Sequence, residues 1–391
     1  MSSNNSDVGI FAFDKVGGAI YIHIPFCKQA CNYCDFHFST SMKKKGEMVL
    51  ALIKEIEIRK AEFKDEIVES IYFGGGTPSR LLISDLRLLI NSIYKNYKVS
   101  ENPEITLEAN PDDLSETYII ELSKTKINRL SIGIQSFFEH GLKLMNRAHN
   151  AAEARKCLEI ATQYFDNISL DLIYAIPGMS NKNWKQNIQT ALSFGINHIS
   201  SYALTVEPKT VLKKLIDSGK IENPKDEVAC EQFQILIENL EKNGFIHYEL
   251  SNFGKINYFS KNNSSYWLGK KYIGIGPSAH SYNGISRSWN ISNNSIYIKS
   301  INENKLPNEI EILSKSDKYN EYVMTGLRTI WGISLDKIET VFGLEYLDYL
   351  LKQAQKFLKD DLLFLENNVL KPTQKGKFLC DGIASDLFML N

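Results

Sequence analysis

Residues 18–25 alternate, with Ile20, Ile22 and Ile24 set against Tyr21 and His23, the period of a strand with two distinct faces. Within 47–63 the period changes: Val49, Leu52, Ile53 and Ile56 return at helical spacing, and 67–73 reads as a second strand that ends in Gly74-Gly75-Gly76-Thr77-Pro78. The same exchange of periods predicts helices over 84–97, 115–125, 137–145, 151–164 and 183–194. Between them it predicts strands over 104–109, 129–134, 168–174 and 198–204. Six strand–helix units in a row, if a helix follows Leu204, argue for a parallel sheet covered by helices. Such a sheet is either open and doubly wound or an incomplete TIM-like barrel.

After Thr205 the alternation stops. Residues 226–243 form an amphipathic helix with Val228, Phe233, Leu236, Ile237 and Leu240 on one side and Gly244 as its stop. A strand over 245–250 leads to an aromatic-rich connection through Trp267 and on to Tyr272-Ile273-Gly274-Ile275-Gly276-Pro277. The stretch 290–316, rich in Asn, Ser and Lys, reads as a surface excursion or linker. Helical patterns over 319–329, 335–341 and 346–358 then precede a hairpin of 362–365 with 369–372, turned at Glu366-Asn367-Asn368. Helices followed by a small hairpin suggest a winged helix. Its three hairpin lysines (Lys371, Lys375, Lys377), with Asp348 beside Lys352 on the recognition helix, favour a cover or docking module over a DNA reader.

The bulk numbers change this picture only at its edges. A chain of 391 residues, 43% hydrophobic, is long enough for two to three domains with a well-buried core. Its net charge of -1, from 45 basic and 46 acidic residues, gives no support for a nucleic-acid or membrane surface. The apolar residues 9–13 lack the basic leader and the length of a signal peptide, and no later apolar run could span a bilayer. Six cysteines, three of them in one loop, form no disulfide framework, so the expected compartment is the reducing cytoplasm.

That loop, Cys27, Cys31 and Cys34, leaves gaps of three and then two residues. A structural zinc site wants four protein ligands, which His23 or His37 could complete. Three thiolates on a 4Fe-4S cube instead leave one iron open. The unusual residues that follow also fall at the carboxyl ends of the predicted strands, where parallel α/β sheets place their chemistry. They are Gly75, Gly76 and Thr77 after the second, Glu108 at the third, Gln135 at the fourth, Asp171 in the fifth and Tyr202 at the sixth. Glycines let backbone approach a ligand, a carboxylate can accept both hydroxyls of a ribose, and an acid in an apolar strand must be paired or bound.

C-x3-C-x2-C after Y-I-H-I-P resembles the signature of the radical S-adenosylmethionine (SAM) family. With F-G-G-G-T-P, E-A-N-P, S-I-G-I-Q-S-F, N-R-A-H, D-L-I-Y and Y-I-G-I-G-P-S-A-H, the resemblance narrows to the branch of the oxygen-independent coproporphyrinogen III oxidases. It implies an incomplete (β/α)6 barrel over 18–225, after an N-terminal extension 1–17. A flanking α+β segment and linker over 226–316 and a winged-helix-like C-terminal domain over 317–391 complete the implied chain. It also implies a 4Fe-4S cluster on Cys27, Cys31 and Cys34, an electron donor to that cluster, and SAM held by Tyr21, Gly75, Gly76, Thr77, Glu108, Gln135, Arg147 and Asp171.

Within the branch, the oxidases carry a fourth cysteine two residues after the third, where this chain has Phe36; Cys-Asp-Phe at 34–36 is closer to the HemW-like heme chaperones. Such chaperones tend to carry H-N-x-x-Y-W, implicated in holding heme. Here the segment is Asn262-Asn263-Ser264-Ser265-Tyr266-Trp267, with asparagine in the histidine's place. The resemblance therefore implies heme on Tyr266 and Trp267, with His280 or His247 as a substitute iron ligand, and heme-accepting proteins, membrane-bound ones included, as partners. Oxidative decarboxylation of porphyrinogen propionates is the alternative activity that it implies, and a zinc-containing nucleic-acid binder is the third.

Overall fold

A computed structural model describes residues 17–390 of the chain. The apolar stretch 9–13 and nearly all of the N-terminal extension lie outside the described residues. The first half runs β1 (Gly17–Ile24), α1 (Lys45–Ile58), β2 (Ile67–Gly75), α2 (Ile83–Asn96), β3 (Val99–Ala109), α3 (Glu116–Ser123), β4 (Arg129–Gln135), α4 (Glu139–Leu144), α5 (Ala151–Tyr164), β5 (Asn167–Tyr174), α6 (Asn181–Ser193) and β6 (His198–Ala203). The six strands lie side by side, parallel and in chain order.

Register explains why those strands alternate. Ile20, Ile22, Ile71, Phe73, Ile105, Leu107, Leu130, Ile132, Leu170 and Ile199 are buried in one apolar core with the helices. The alternate positions carry polar groups that neighbour one another across the ladder, Ser70 beside Glu104, Thr106 beside Arg129, Glu108 beside Ser131, and Asp171 beside Ser200. One face of the sheet is thus an oil-filled contact with helices and the other a polar concave interior. Asp171 belongs to that inner face.

The second half extends the same sheet at both edges. After α7 (Val211–Asp217) and α8 (Asp226–Lys242) come β7 (Ile246–Glu249), β8 (Asn252–Gly254), α9 (Lys261–Trp267), β9 (Tyr272–Ile275), β10 (His280–Tyr282), β11 (Ser286–Asn290), α10 (Asn294–Asn302) and β12 (Asn308–Ile312). Strand β8 pairs antiparallel with β6, and β9 pairs parallel with β1, Ala19 opposite Tyr272. Both edges are therefore taken and the barrel stays open, with strand order β12-β11-β10-β9-β1-β2-β3-β4-β5-β6-β8-β7.

Helix α9 lies against β1 and β2. Glu104 fixes its start by accepting from Lys261 N at 3.1 Å and Asn262 N at 3.2 Å, a carboxylate placed at a helix's positive end. The stretch 290–316 is not a linker. Asn293 caps α10, which buries Tyr297, Ile298 and Ile301 in the main core, and β12 pairs with β11 along its length. Its Asn and Lys residues cap and solvate an ordinary amphipathic helix.

A second core, around Tyr319, Val323, Leu327, Leu350, Phe357, Leu370 and Ile383, gathers α11 (Lys315–Leu327), β13 (Ile333–Ser334), α12 (Leu335–Lys337), α13 (Leu344–Lys359), β14 (Leu363–Glu366), β15 (Val369–Pro372), α14 (Gln374–Lys377) and α15 (Cys380–Asp386). Its small sheet is antiparallel in the order β13-β15-β14. This unit is stitched to the large sheet by Leu250 N donating to Arg328 O at 2.9 Å, Ile330 N to Tyr248 O at 3.0 Å, and the Arg287–Glu321 ion pair at 2.8 Å. Lys377 Nζ sits 3.1 Å from His247 Nδ1, Lys375 Nζ donates to Asp360 O and Lys371 Nζ to Glu366 Oε2 at 3.5 Å, so all three hairpin-region lysines are engaged within the chain.

Candidate functional site

The cysteine loop leaves the end of β1 and is shaped by its neighbours. Cys27 N donates to Ser39 O at 3.0 Å and Ser39 N to Pro25 O at 2.9 Å, closing the loop on itself. A turn after α4 grips it from outside: Asn32 donates to Met145 O and Leu144 O, Gln29 to Asn146 O, and Asn146 to Ala30 O. All three thiols are half-buried. Burial pushes the Cys27 thiol up to about 11 although the Thr77 hydroxyl, which donates to its sulfur at 3.4 Å, works the other way.

Gly76 and Thr77 belong to that loop's support. Gly76 N donates to Ile24 O and Thr77 N to Phe26 O, and a Cβ at Gly76 would stand 2.7 Å from Phe26 O and 2.8 Å from Ile24 O. Only glycine fits there. Arg147 reaches in from the turn after α4: Nη1 donates to Cys31 Sγ at 3.2 Å, while Nη2 donates to Asn110 Oδ1 at 2.6 Å and Gly133 O at 2.9 Å. Its Nε is buried without an acceptor. Gln135 shares this corner, buried at a positive φ of 64°.

Beside the loop, Tyr21, Gly75 and Glu108 line a cavity of about 1240 Å³ with His23, Phe36, Tyr266 and His280. Tyr72, directly opposite Tyr21 in the β1–β2 register, donates to Glu108 Oε1 at 2.8 Å and stacks on the Tyr21 ring, centroids 6.1 Å apart. Burial, with the nearby Asp171 charge adding to it, raises Glu108 to about 7 against the pull of Tyr72. Burial raises Asp171 to about 6, opposed by Arg129; Ser131 Oγ donates to it at 3.3 Å. Two carboxyl groups raised toward neutrality by burial face one polar interior.

The residues considered for heme separate. Tyr266 and Trp267 line a second cavity of about 1000 Å³, between the sheet and the C-terminal unit. Asn262 lies elsewhere, buried with Oδ1 3.5 Å from Ser70 Oγ, so a side chain at 262 points into the sheet and not into either cavity. His247 is closed off as an iron ligand: it stacks on Phe253 at 4.1 Å, and its two nitrogens meet Leu250 O and Lys377 Nζ. His280 is exposed on the first cavity, its ring 6.0 Å from that of Trp289. His23 Nε2 meets His37 O at 2.9 Å and His37 Nε2 meets Asn294 Oδ1 at 2.8 Å, which turns both away from completing a zinc site. Among the described residues no three His, Cys, Asp or Glu side chains are placed to share a single metal ion.

Residues 21–191 match the model of the Radical SAM superfamily, and 313–379 match that of the HemN C-terminal domain. The heme chaperone HemW of Bacillus subtilis is 35% identical over 92% of this chain and 96% of its own length; that of Lactococcus lactis is 33% identical over 93% and 97%. The chain belongs to the HemW family of radical SAM proteins. Among solved structures, the coproporphyrinogen III oxidase HemN of Escherichia coli superposes with a TM-score of 0.83 at 21% identity, covering 96% of this chain and 91% of that one; it shares the fold.

Membership of the radical SAM superfamily implies a 4Fe-4S cluster and SAM, and the residues fit both. Three half-buried thiols on one loop, a guanidinium against one of them with an unused buried N–H, and hydroxyl-accepting carboxyls beside a glycine wall form a suitable donor set. Sequence reasoning passed over Tyr72, Arg129 and Asn146, and noted Asn110 only as part of the strand-end segment E-A-N-P. The alternation in I-Y-F-G-G places Tyr72 on the face of Gly74 and could have exposed it; the others act through partners far away in the chain.

Proposed function

We propose that this chain carries a 4Fe-4S cluster on Cys27, Cys31 and Cys34, takes up SAM beside it, and holds heme for delivery to acceptor proteins. The observation that carries the reading is its likeness, over more than nine-tenths of its length, to proteins named heme chaperones. Phe36 supports it, an aromatic left 69% exposed on the rim of both cavities at the place where the oxidases of the branch carry a further cysteine. Cluster and SAM, when bound, supply one-electron chemistry that the protein shields. Tyr21, Gly75, Gly76, Thr77, Glu108, Gln135, Arg147 and Asp171 are the proposed SAM contacts, with Gly76 and Thr77 also bracing the cysteine loop through their backbone N–H groups. Heme-accepting proteins and an electron donor are the proposed partners. No described helix is long and apolar enough to cross a membrane.

Heme binding is tested by titration of the anaerobically reconstituted protein, followed in the Soret band. Saturable binding is expected, weakened about tenfold or more in Trp267→Ala through loss of an aromatic wall. A Trp267→Ala titration that overlays the wild type contradicts the placing of heme.

SAM binding is expected to depend on pH. Glu108, raised to about 7 without ligand, must lose its proton to accept two ribose hydroxyls as a carboxylate. Affinity then rises as pH passes upward through about 7 and falls below it. Glu108→Gln is expected to bind SAM about 10- to 100-fold more weakly and to lose this pH dependence. Calorimetry on the cluster-loaded protein checks both, and an unchanged profile in the variant removes Glu108 from the site.

A further inference from the structure

The second cavity has a composition that the cluster and SAM do not use. Its walls are aromatic, Tyr266 and Trp267 from α9 facing Tyr322 and Phe342 from the C-terminal unit, and four cations reach it. Arg287 comes from β11. Lys318, Arg328 and Lys337 come from the C-terminal unit, so the two halves of the chain face one another across the cavity with charge mostly on one side.

Those cations are only partly satisfied by their surroundings. Glu321 pairs with Arg287 at 2.8 Å, and Asp381 pairs with Arg328, yet the Nε–H of each arginine is buried without an acceptor. Among the described residues neither Lys318 nor Lys337 has a carboxylate within ion-pair distance; Lys337 Nζ stands 4.3 Å from the centre of the Tyr322 ring, and the Arg328 guanidinium 5.3 Å from that of Trp267. The remaining acid on the wall, Glu249, is committed to Ser251 N and Asn252. Lys318 and Lys337 reach solvent without a protein anion, so they are free to take one, and flat aromatic walls stabilise a cation only in part. What satisfies both features is a flat apolar body carrying its own carboxylates.

We infer that this cavity between the sheet and the C-terminal unit takes a tetrapyrrole dicarboxylate, gripped through its carboxylates by Lys318, Lys337, Arg328 and Arg287 and through its ring by Tyr266 and Trp267. The inference rests on the heme reading above and deepens it. Recognition falls on the carboxylates and the ring, so it needs no histidine at 262, a position that faces neither cavity. It also needs no iron. Phe36, Tyr266, Tyr272 and Arg287 line both cavities, which places the tetrapyrrole next to the SAM side.

The test compares hemin, metal-free protoporphyrin IX and the dimethyl ester of each, titrated into the cluster-loaded full chain. Hemin and protoporphyrin IX are expected to bind within about threefold of each other, and each diester about tenfold or more weaker, the loss of charge-assisted hydrogen bonds to desolvated carboxylates. A Lys318→Met, Lys337→Met double variant is expected to lose about tenfold for the two diacids and nothing for the diesters. Both lysines reach solvent; circular dichroism and SAM binding at the first cavity report whether the variant is folded, and Lys318→Gln, Lys337→Gln serves if it is not. Equal affinity for diacid and diester, or a double variant that matches the wild type on hemin, overturns the carboxylate clamp while leaving heme binding intact. A wild-type chain that binds no tetrapyrrole overturns the clamp and the heme reading together.

Discussion

Alanine at Cys27, at Cys31 or at Cys34 is expected to take the iron and sulfide of the anaerobically reconstituted protein from about four of each per chain to near zero. A cube held by three thiolates has no spare protein ligand, and the loop offers none, because His23 and His37 are engaged with His37 O and Asn294. The same change at Cys157, Cys230 or Cys380 is expected to leave iron unchanged. Cys157 is buried against the core from α5, its thiol pushed up to about 12 by that burial, and Cys380 donates to Leu327 O in the second core. Iron and sulfide assays with the visible absorbance of the cluster check all six. Full iron content in each of the three loop variants would remove the cluster from this loop.

The second large effect concerns stability. Glu55, on α1, is fully buried and accepts from Gly276 N at 2.8 Å, Tyr297 OH at 2.5 Å, Asn290 Nδ2 at 2.8 Å and Arg59 Nη1 at 3.4 Å. One carboxylate thus ties α1 to the turn after β9, to β11 and to α10. Glu55→Ala leaves the Tyr297 hydroxyl and the Gly276 N–H without this acceptor and takes one partner each from Arg59, which keeps Glu62 and Gly274 O, and from Asn290, which keeps Gly276 O, and is expected to cost about 2–4 kcal/mol. Glu55→Gln keeps two of the four acceptor contacts in shape and is expected to cost roughly half as much. Denaturant melts followed by circular dichroism measure both. A midpoint for Glu55→Ala within error of the wild type contradicts the network.

The strand–helix alternation was legible because the sheet separates its faces so cleanly, Ile20, Ile22, Phe73 and Leu107 outward against helices and Ser70, Tyr72, Glu108 and Asp171 inward. The cysteine spacing was legible because it is local. What could not be read depends on distant register. Tyr72 finds Glu108 only because β2 and β3 are adjacent, Arg147 finds Cys31 only through the turn that follows α4, and Arg129 meets Glu104 only because β3 and β4 pair. The stretch 290–316 was misread because its polar composition hid Tyr297, Ile298 and Ile301 at helical spacing behind the Asn293 cap. Asn262 looked like the deciding residue for heme, but its helix is turned by Glu104 so that 262 faces Ser70.

Function therefore turns on the two cavities that share Tyr266, and the most direct measurement is the wild-type heme titration of the cluster-loaded chain, with porphyrinogen and SAM supplied in a parallel reaction. The account predicts a saturating Soret signal and no decarboxylated porphyrin or 5'-deoxyadenosine formed with porphyrinogen. An unsaturable, linear heme signal together with porphyrinogen turnover and stoichiometric 5'-deoxyadenosine would contradict it and make the chain a decarboxylating enzyme.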